Sequence, residues 1–135
     1  MKIILMRHGQ VSIDHQLRLT AAEFGDWIAS YNSAGLAPES APPQTAIQLA
    51  QQCAVRICSH LPRSLESAKR LEIRQIDLAD PLFREMEMPH ALWRFPKLPV
   101  SVWLVVFRVA WMLGYARDVE SFTQAKARAE ACAQR

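Results

Sequence analysis

The sequence predicts an α/β fold in which helices cover both faces of a mostly parallel sheet. Short apolar runs at residues 2–6 and 54–58, and a weaker alternation at residues 73–78, indicate strands. Helical patterns separate these strands, and such alternation is typical of parallel sheets. A chain of 135 residues has the length of one domain. We therefore expect a single three-layer α/β/α sandwich over residues 1–135.

The composition suits a cytoplasmic globular protein. Half of the residues are hydrophobic and 21% are charged, and the formal net charge of +3 comes from scattered cations. Because no block of Lys and Arg is present, we expect no nucleic-acid partner. The three cysteines, Cys53, Cys58 and Cys132, have no paired spacing, which argues against a disulfide framework and favours a reducing compartment. The N-terminus resembles no signal peptide.

The first predicted strand carries the first functional signal. Residues 2–6 are apolar apart from Lys2, as in a strand that is covered on both faces. The run stops at Arg7-His8-Gly9, and open α/β sheets bind their ligands at the carboxyl ends of strands. A permanent cation and a nucleophile are therefore expected at this edge.

Local signals predict five helices. Thr20 and Glu23 match a capping box that precedes an apolar face of helical spacing, and Pro62 suits the first turn of another helix. The region 80–99 holds four prolines and predicts a long functional loop. The predicted helices span residues 20–31, 44–52, 62–71, 100–113 and 121–134.

Residues 100–113 form the most apolar stretch. The stretch is shorter than the ~20 residues that span a bilayer, and it contains Arg108. We interpret it as a buried helix or a packing surface, through which the chain could form a homo-oligomer. Contact with a membrane surface is the weaker alternative.

A second functional signal follows the strand at residues 54–58. If the two strands are neighbours, Arg63 converges with Arg7, and two guanidinium groups can fork onto phosphoryl oxygens. The helix that begins near Pro62 adds free N–H groups. His8 could then attack phosphorus and form a phosphohistidine, and Gly9 would let the backbone approach the ligand.

The leaving alcohol needs a proton, and Glu85 is the best candidate for the acid, with Glu87 as the alternative. Apolar neighbours would keep the carboxyl protonated near neutral pH. Gln10 and His60 could line the substrate pocket. The histidines and cysteines show no metal-ligand spacing, so neither a metal nor a cofactor is expected.

Three segments resemble motifs of the histidine phosphatase superfamily, which includes the phosphoglycerate mutases. They are Leu-Met-Arg-His-Gly-Gln at residues 5–10, Ser-His-Leu-Pro-Arg-Ser-Leu-Glu-Ser-Ala at residues 59–68, and Asp-Pro-Leu-Phe-Arg-Glu at residues 80–85. The resemblance implies a phosphoglycerate mutase-like sandwich and metal-independent catalysis. It also implies a nucleophile, two phosphate clamps and a proton donor, which are His8, Arg7, Arg63 and Glu85.

The chain departs from the family pattern at two places. No histidine follows His90, whereas the family has a second histidine after a late strand that lies beside the first strand. An open apolar sheet edge would result, which is a site of association. We therefore expect a C-terminally incomplete form, a sheet completed by a second chain, or a degenerate relative. Residues 86–89 also lack the family's glycine-bearing segment, which leaves the choice between Glu85 and Glu87 open.

These observations together predict a phosphatase that hydrolyses a phosphomonoester or a phosphohistidine through His8. The expected partners are a small phosphorylated substrate or a phosphoprotein, and a second copy through residues 100–113 or the sheet edge. The alternative is a non-catalytic phosphate-binding or interaction protein derived from the same fold.

Overall fold

The computed structural model describes residues 1–135. The chain folds into five α-helices, one 3-10 helix and four strands of two residues each. In chain order the elements are β1 (Arg18–Leu19), α1 (Ala21–Ser33), α2 (Gln44–Gln51), β2 (Ile57–Cys58), α3 (Pro62–Arg70), β3 (Leu78–Ala79), the 3-10 helix (Pro81–Phe83), β4 (Leu98–Pro99), α4 (Val100–Met112) and α5 (Phe122–Gln134).

The strands form two separate sheets of two strands each. β1 pairs with β4 in the antiparallel direction, and β2 pairs with β3 in the parallel direction. The predicted three-layer sandwich with a mostly parallel sheet is therefore wrong. The physical reason is that each ladder ends after two residues, so no continuous sheet exists for helices to cover.

The predicted first strand does not form. Residues 2–6 have no strand assignment, and Ile3 and Leu5 are 70% and 92% exposed. A strand requires a neighbour to accept and donate its backbone hydrogen bonds, and apolar side chains do not supply one. The sheet edge that was expected at residues 2–6, as a site of association, is likewise not present.

The five predicted helices are confirmed, with ends that differ by at most two residues. α1 begins after Thr20, whose hydroxyl accepts a hydrogen bond from the amide of Glu23 at 3.2 Å. Pro62 lies in the first turn of α3, as expected. α5 begins with a capping box between Ser121 and Gln124.

Two compact units make up the chain, and each is built from two stretches of sequence. The first unit contains residues 1–12 and 32–84. In this unit α3 anchors the segment 36–40, because Glu66 accepts the Leu36 amide at 2.8 Å and Arg70 donates to the carbonyls of Ala37 and Ser40. Residues 9–12 lie along this segment through an isolated bridge and neighbouring backbone hydrogen bonds.

The second unit contains residues 13–31 and 85–135. Its core is aromatic: Phe24 of α1 stacks on Phe107 of α4 at 5.6 Å between ring centroids. The indole of Trp103 donates a hydrogen bond to the carbonyl of Leu19, which satisfies its one polar group inside this core. No helix of the chain is long and apolar enough to cross a lipid bilayer.

Candidate functional site

The structure brings the two predicted motifs of the first unit together. The amide of Gly9 donates a hydrogen bond to Ser67 Oγ at 2.9 Å, across 58 positions of sequence. Ser67 Oγ in turn donates to the carbonyl of Arg63 at 2.6 Å. The backbone beside His8 is therefore tied directly to the helix that carries Arg63.

Position 9 favours glycine because a neighbouring segment lies against its backbone, which the sequence did not indicate. A Cβ at this position would lie 2.6 Å from Ser40 Oγ and 3.1 Å from Leu36 Cδ1. The close approach is thus between Gly9 and the segment 36–40 of the same unit. A larger residue at position 9 would therefore force the Ser40 side chain or the Gly9 backbone to move.

His8 is half-buried, and its ring is oriented by a local hydrogen bond. Nδ1 lies 2.7 Å from the carbonyl oxygen of Gly9. Because a carbonyl oxygen only accepts, Nδ1 carries the proton and Nε2 carries the lone pair in the neutral ring. Nε2 is the nitrogen that could act as a nucleophile.

The two predicted phosphate clamps lie in different environments. Arg63 is only 3% exposed, and its Nη1 donates a hydrogen bond to Asn32 Oδ1 at 3.3 Å. Arg7 is exposed. A buried guanidinium contributes a fixed positive charge, whereas an exposed one can change its rotamer to reach a ligand.

The N-terminus of α3 has no side-chain cap, since its N-cap residue is Leu61. Ser59 is buried and uses its hydroxyl locally: Oγ donates to Ser64 Oγ at 2.8 Å and accepts from the Leu61 amide at 3.4 Å. Ser59 is thus a structural residue of the turn before the helix. The predicted pocket residues Gln10 and His60 are both exposed.

The predicted acid lies in the second unit and is exposed. The apolar surroundings expected for Glu85 are therefore not present. Its electrostatic neighbour in this unit is Arg108: burial lowers the pKa of that guanidinium, and the negative charge of Glu85 raises it. Glu87 has a structural contact instead, since its carboxylate accepts the Glu120 amide at 2.9 Å.

Two residues of functional interest escaped sequence reasoning. Asn32 fell in a predicted loop, and nothing local indicated that it would contact Arg63 thirty-one positions later. In the sequence, Arg108 is visible only as an interruption of an apolar run. A single charge inside such a run is a signal, because it needs a partner when the helix packs.

No group of three or more His, Cys, Asp or Glu side chains lies close enough together to hold a metal ion. An open depression of about 410 Å³ in the first unit is lined by Gln51, Lys69, Glu72, Ile73 and Arg74, and by none of the predicted site residues. Comparison of the chain with family models, with curated proteins and with solved structures finds no match.

Proposed function

We propose that the chain is a phosphatase that accepts a phosphoryl group on Nε2 of His8. The observation that carries this proposal is the hydrogen bond between His8 Nδ1 and the Gly9 carbonyl, which leaves the lone pair on Nε2. A nucleophile of this kind attacks a phosphomonoester or a phosphohistidine without prior loss of a proton.

The reaction proceeds in two displacements. In the first, the bond from Nε2 to phosphorus forms, the bond from phosphorus to the leaving oxygen breaks, and the leaving alkoxide takes a proton from solvent to become the alcohol. In the second, the oxygen of a water molecule bonds to phosphorus, the bond from phosphorus to Nε2 breaks and returns its electron pair to Nε2, and the water loses a proton to solvent as phosphate leaves. Cations stabilise the charge on the equatorial oxygens in both steps.

The cations of the proposal, Arg7 and Arg63, belong to the same unit as His8. The Gly9–Ser67 hydrogen bond connects the nucleophile to α3, which carries the buried guanidinium of Arg63. The first turn of α3, which has no side-chain cap, adds the positive end of the helix dipole. The resemblance of residues 5–10 and 59–68 to histidine phosphatase motifs supports the same chemistry.

A second candidate function is binding of a phosphorylated ligand without turnover. The observation that favours it is the exposure of Glu85, which leaves this carboxylate in water rather than in apolar surroundings. Without a group that holds a proton for the leaving alcohol, the first displacement slows, whereas anion binding needs only the cations.

The test uses the full chain with p-nitrophenyl phosphate as the probe. A burst of p-nitrophenol, together with an acid-labile phosphate that mass spectrometry locates on His8, supports the phosphatase. His8→Ala removes both signals, and His15→Ala, a histidine of the second unit, is the matched control. Vanadate binding that needs Arg63, with no burst, supports the second candidate. If the chain shows neither a burst nor vanadate binding, both candidate functions are contradicted.

A further inference from the structure

Helix α4 has a second apolar face that the chain leaves uncovered. One face packs into the core of the second unit through Trp103 and Phe107. Val105 and Leu113, on the other side, are 64% and 84% exposed. We name the exposed set the valine face, which consists of Val102, Val105, Val106, Val109, Met112 and Leu113.

The valine face is a continuous stripe without a charge. Its positions recur at spacings of three and four, so they lie one above the other along the helix. Arg108 is the only charged residue of α4, and its guanidinium lies 5.0 Å from the centre of the buried Trp111 ring. A helix that carries apolar residues on two opposite faces normally packs on both of them.

We propose that the valine face binds the same face of a second copy of this chain, in a two-fold symmetric, antiparallel helix pair. In such an isologous contact each stripe meets an identical stripe, so the pairing desolvates no charge. From their exposed fractions, the six side chains leave roughly 500 Å² of surface in water per chain, so complete burial in both copies would remove about 1,000 Å², the lower bound for a specific interface.

A lipid surface is the less suitable occupant. α4 has 13 residues and is about 20 Å long, which is less than the hydrocarbon thickness of a bilayer. Helices that lie in the membrane interface carry several Lys or Arg beside the apolar face, where they meet anionic headgroups. Arg108 is the one cation of α4, so charge does not favour lipid over a second copy.

Sedimentation velocity on the full chain between about 1 and 100 μM tests the proposal. We expect a dimer for the native chain, and monomers for Val105→Glu and Val109→Glu, with dissociation constants at least about 100-fold higher because each places a carboxylate in a dry contact. Both positions are half-exposed or more, so the core is not disturbed. Circular dichroism checks this point.

The matched control is Thr123→Glu, an exposed position on α5, which should remain dimeric. A native chain that stays monomeric at 100 μM overturns the proposal. The proposal is also overturned if Val105→Glu and Val109→Glu both remain dimeric. Binding of a monomeric native chain to vesicles with anionic lipid, if Val105→Glu abolishes it, also overturns the proposal and assigns the stripe to a membrane surface.

A mixing experiment tests the antiparallel arrangement. A two-fold axis near the middle of the stripe places Val105 of one copy opposite Val109 of the other. Val105→Glu and Val109→Lys should each be monomeric alone and should form a heterodimer when mixed, because the opposite charges meet. If mixing gives no heterodimer, the antiparallel arrangement is wrong.

Discussion

The amide of Gly9 donates a hydrogen bond to the hydroxyl of Ser67 at 2.9 Å, and this bond joins two segments that lie 58 positions apart. Ser67 uses the same hydroxyl to donate to the carbonyl of Arg63. One side chain therefore connects the backbone beside His8 to the first turn of α3. The contact is a direct link between the two motifs of the proposed phosphate site.

Removal of this hydroxyl should loosen the proposed site. Ser67→Ala leaves the half-buried Gly9 amide without its acceptor, and we expect a loss of about 1–2 kcal/mol in the free energy of unfolding. Vanadate binding should weaken more than tenfold, since His8 then moves relative to Arg63. Chemical denaturation and calorimetric titration measure the two effects.

Ser67→Thr is the matched control, because it keeps the hydroxyl and adds one methyl group. Its stability and its vanadate affinity should stay near the native values. If Ser67→Ala binds vanadate as tightly as the native chain does, the link between Gly9 and α3 has no role in the site.

The sequence predicted the helices well because their signals are local. The Thr20 cap and the apolar residues after it lie within one helix length, and the structure has α1 there. The sheet was different, since a strand forms only where another segment pairs with it. Residues 2–6 carry the apolar side chains of a strand but have no such partner, and their sequence does not contain that information.

In the candidate site, too, some features were predictable from the sequence and others were not. The two motifs predicted that Arg7 and Arg63 would converge on one phosphate, which stays a prediction, and the structure joins the same two segments through the Gly9–Ser67 bond. The environment of each charge was not predictable in this way. Arg63 is buried against Asn32, and Glu85 is exposed, because burial depends on which distant segments pack around a side chain.

Gly25 of α1 lies directly under the ring of His90. A Cβ at Gly25 would come within 2.5 Å of His90 Cδ2 and 2.8 Å of Nε2. The backbone of His90 is held in place because its carbonyl accepts a hydrogen bond from the Tyr115 hydroxyl at 2.8 Å. Gly25→Ala should therefore destabilise the chain by about 1–3 kcal/mol, although alanine is the better helix former.

The sign of this effect should reverse when the ring is absent. In a His90→Ala background, Gly25→Ala should stabilise the chain by up to about 1 kcal/mol, since only the helix propensity remains. Urea denaturation of the four proteins in this double-mutant cycle measures the coupling. A Gly25→Ala substitution that stabilises both backgrounds would show that the His90 ring turns away without cost.

Glu120 and Arg128 form an enclosed ion pair in the second unit. The Arg128 guanidinium donates through Nε to Oε2 at 3.1 Å and through Nη2 to Oε1, and both side chains are less than one-fifth exposed. The hydrogen bond to Glu120 raises the pKa of Arg128, against the opposing effect of burial. Glu120→Gln should cost about 1–3 kcal/mol in the free energy of unfolding.

The exposed pair of Arg117 and Asp118 provides the control. Its two groups are 3.7 Å apart, with half or more of each side chain in water. Asp118→Asn should change stability by less than about 0.5 kcal/mol, because exposed ion pairs contribute little. Equal effects of Asp118→Asn and Glu120→Gln in thermal denaturation would mean that enclosure adds nothing to the Glu120–Arg128 pair.

Cys58 should make the free energy of unfolding depend on pH in the alkaline range. The residue lies in β2, and burial raises the pKa of its thiol above the ordinary value of 9.0. The folded state therefore keeps a proton that the unfolded state releases. The stability that this protonation contributes is fully present below about pH 9 and is lost as the pH rises through the folded-state pKa.

In Cys58→Ala this loss does not occur, so the difference in unfolding free energy between native chain and variant should shrink from pH 8 to pH 10.5. Urea denaturation under reducing conditions measures it, and a difference that stays constant over this range would show that the thiol ionises equally in both states.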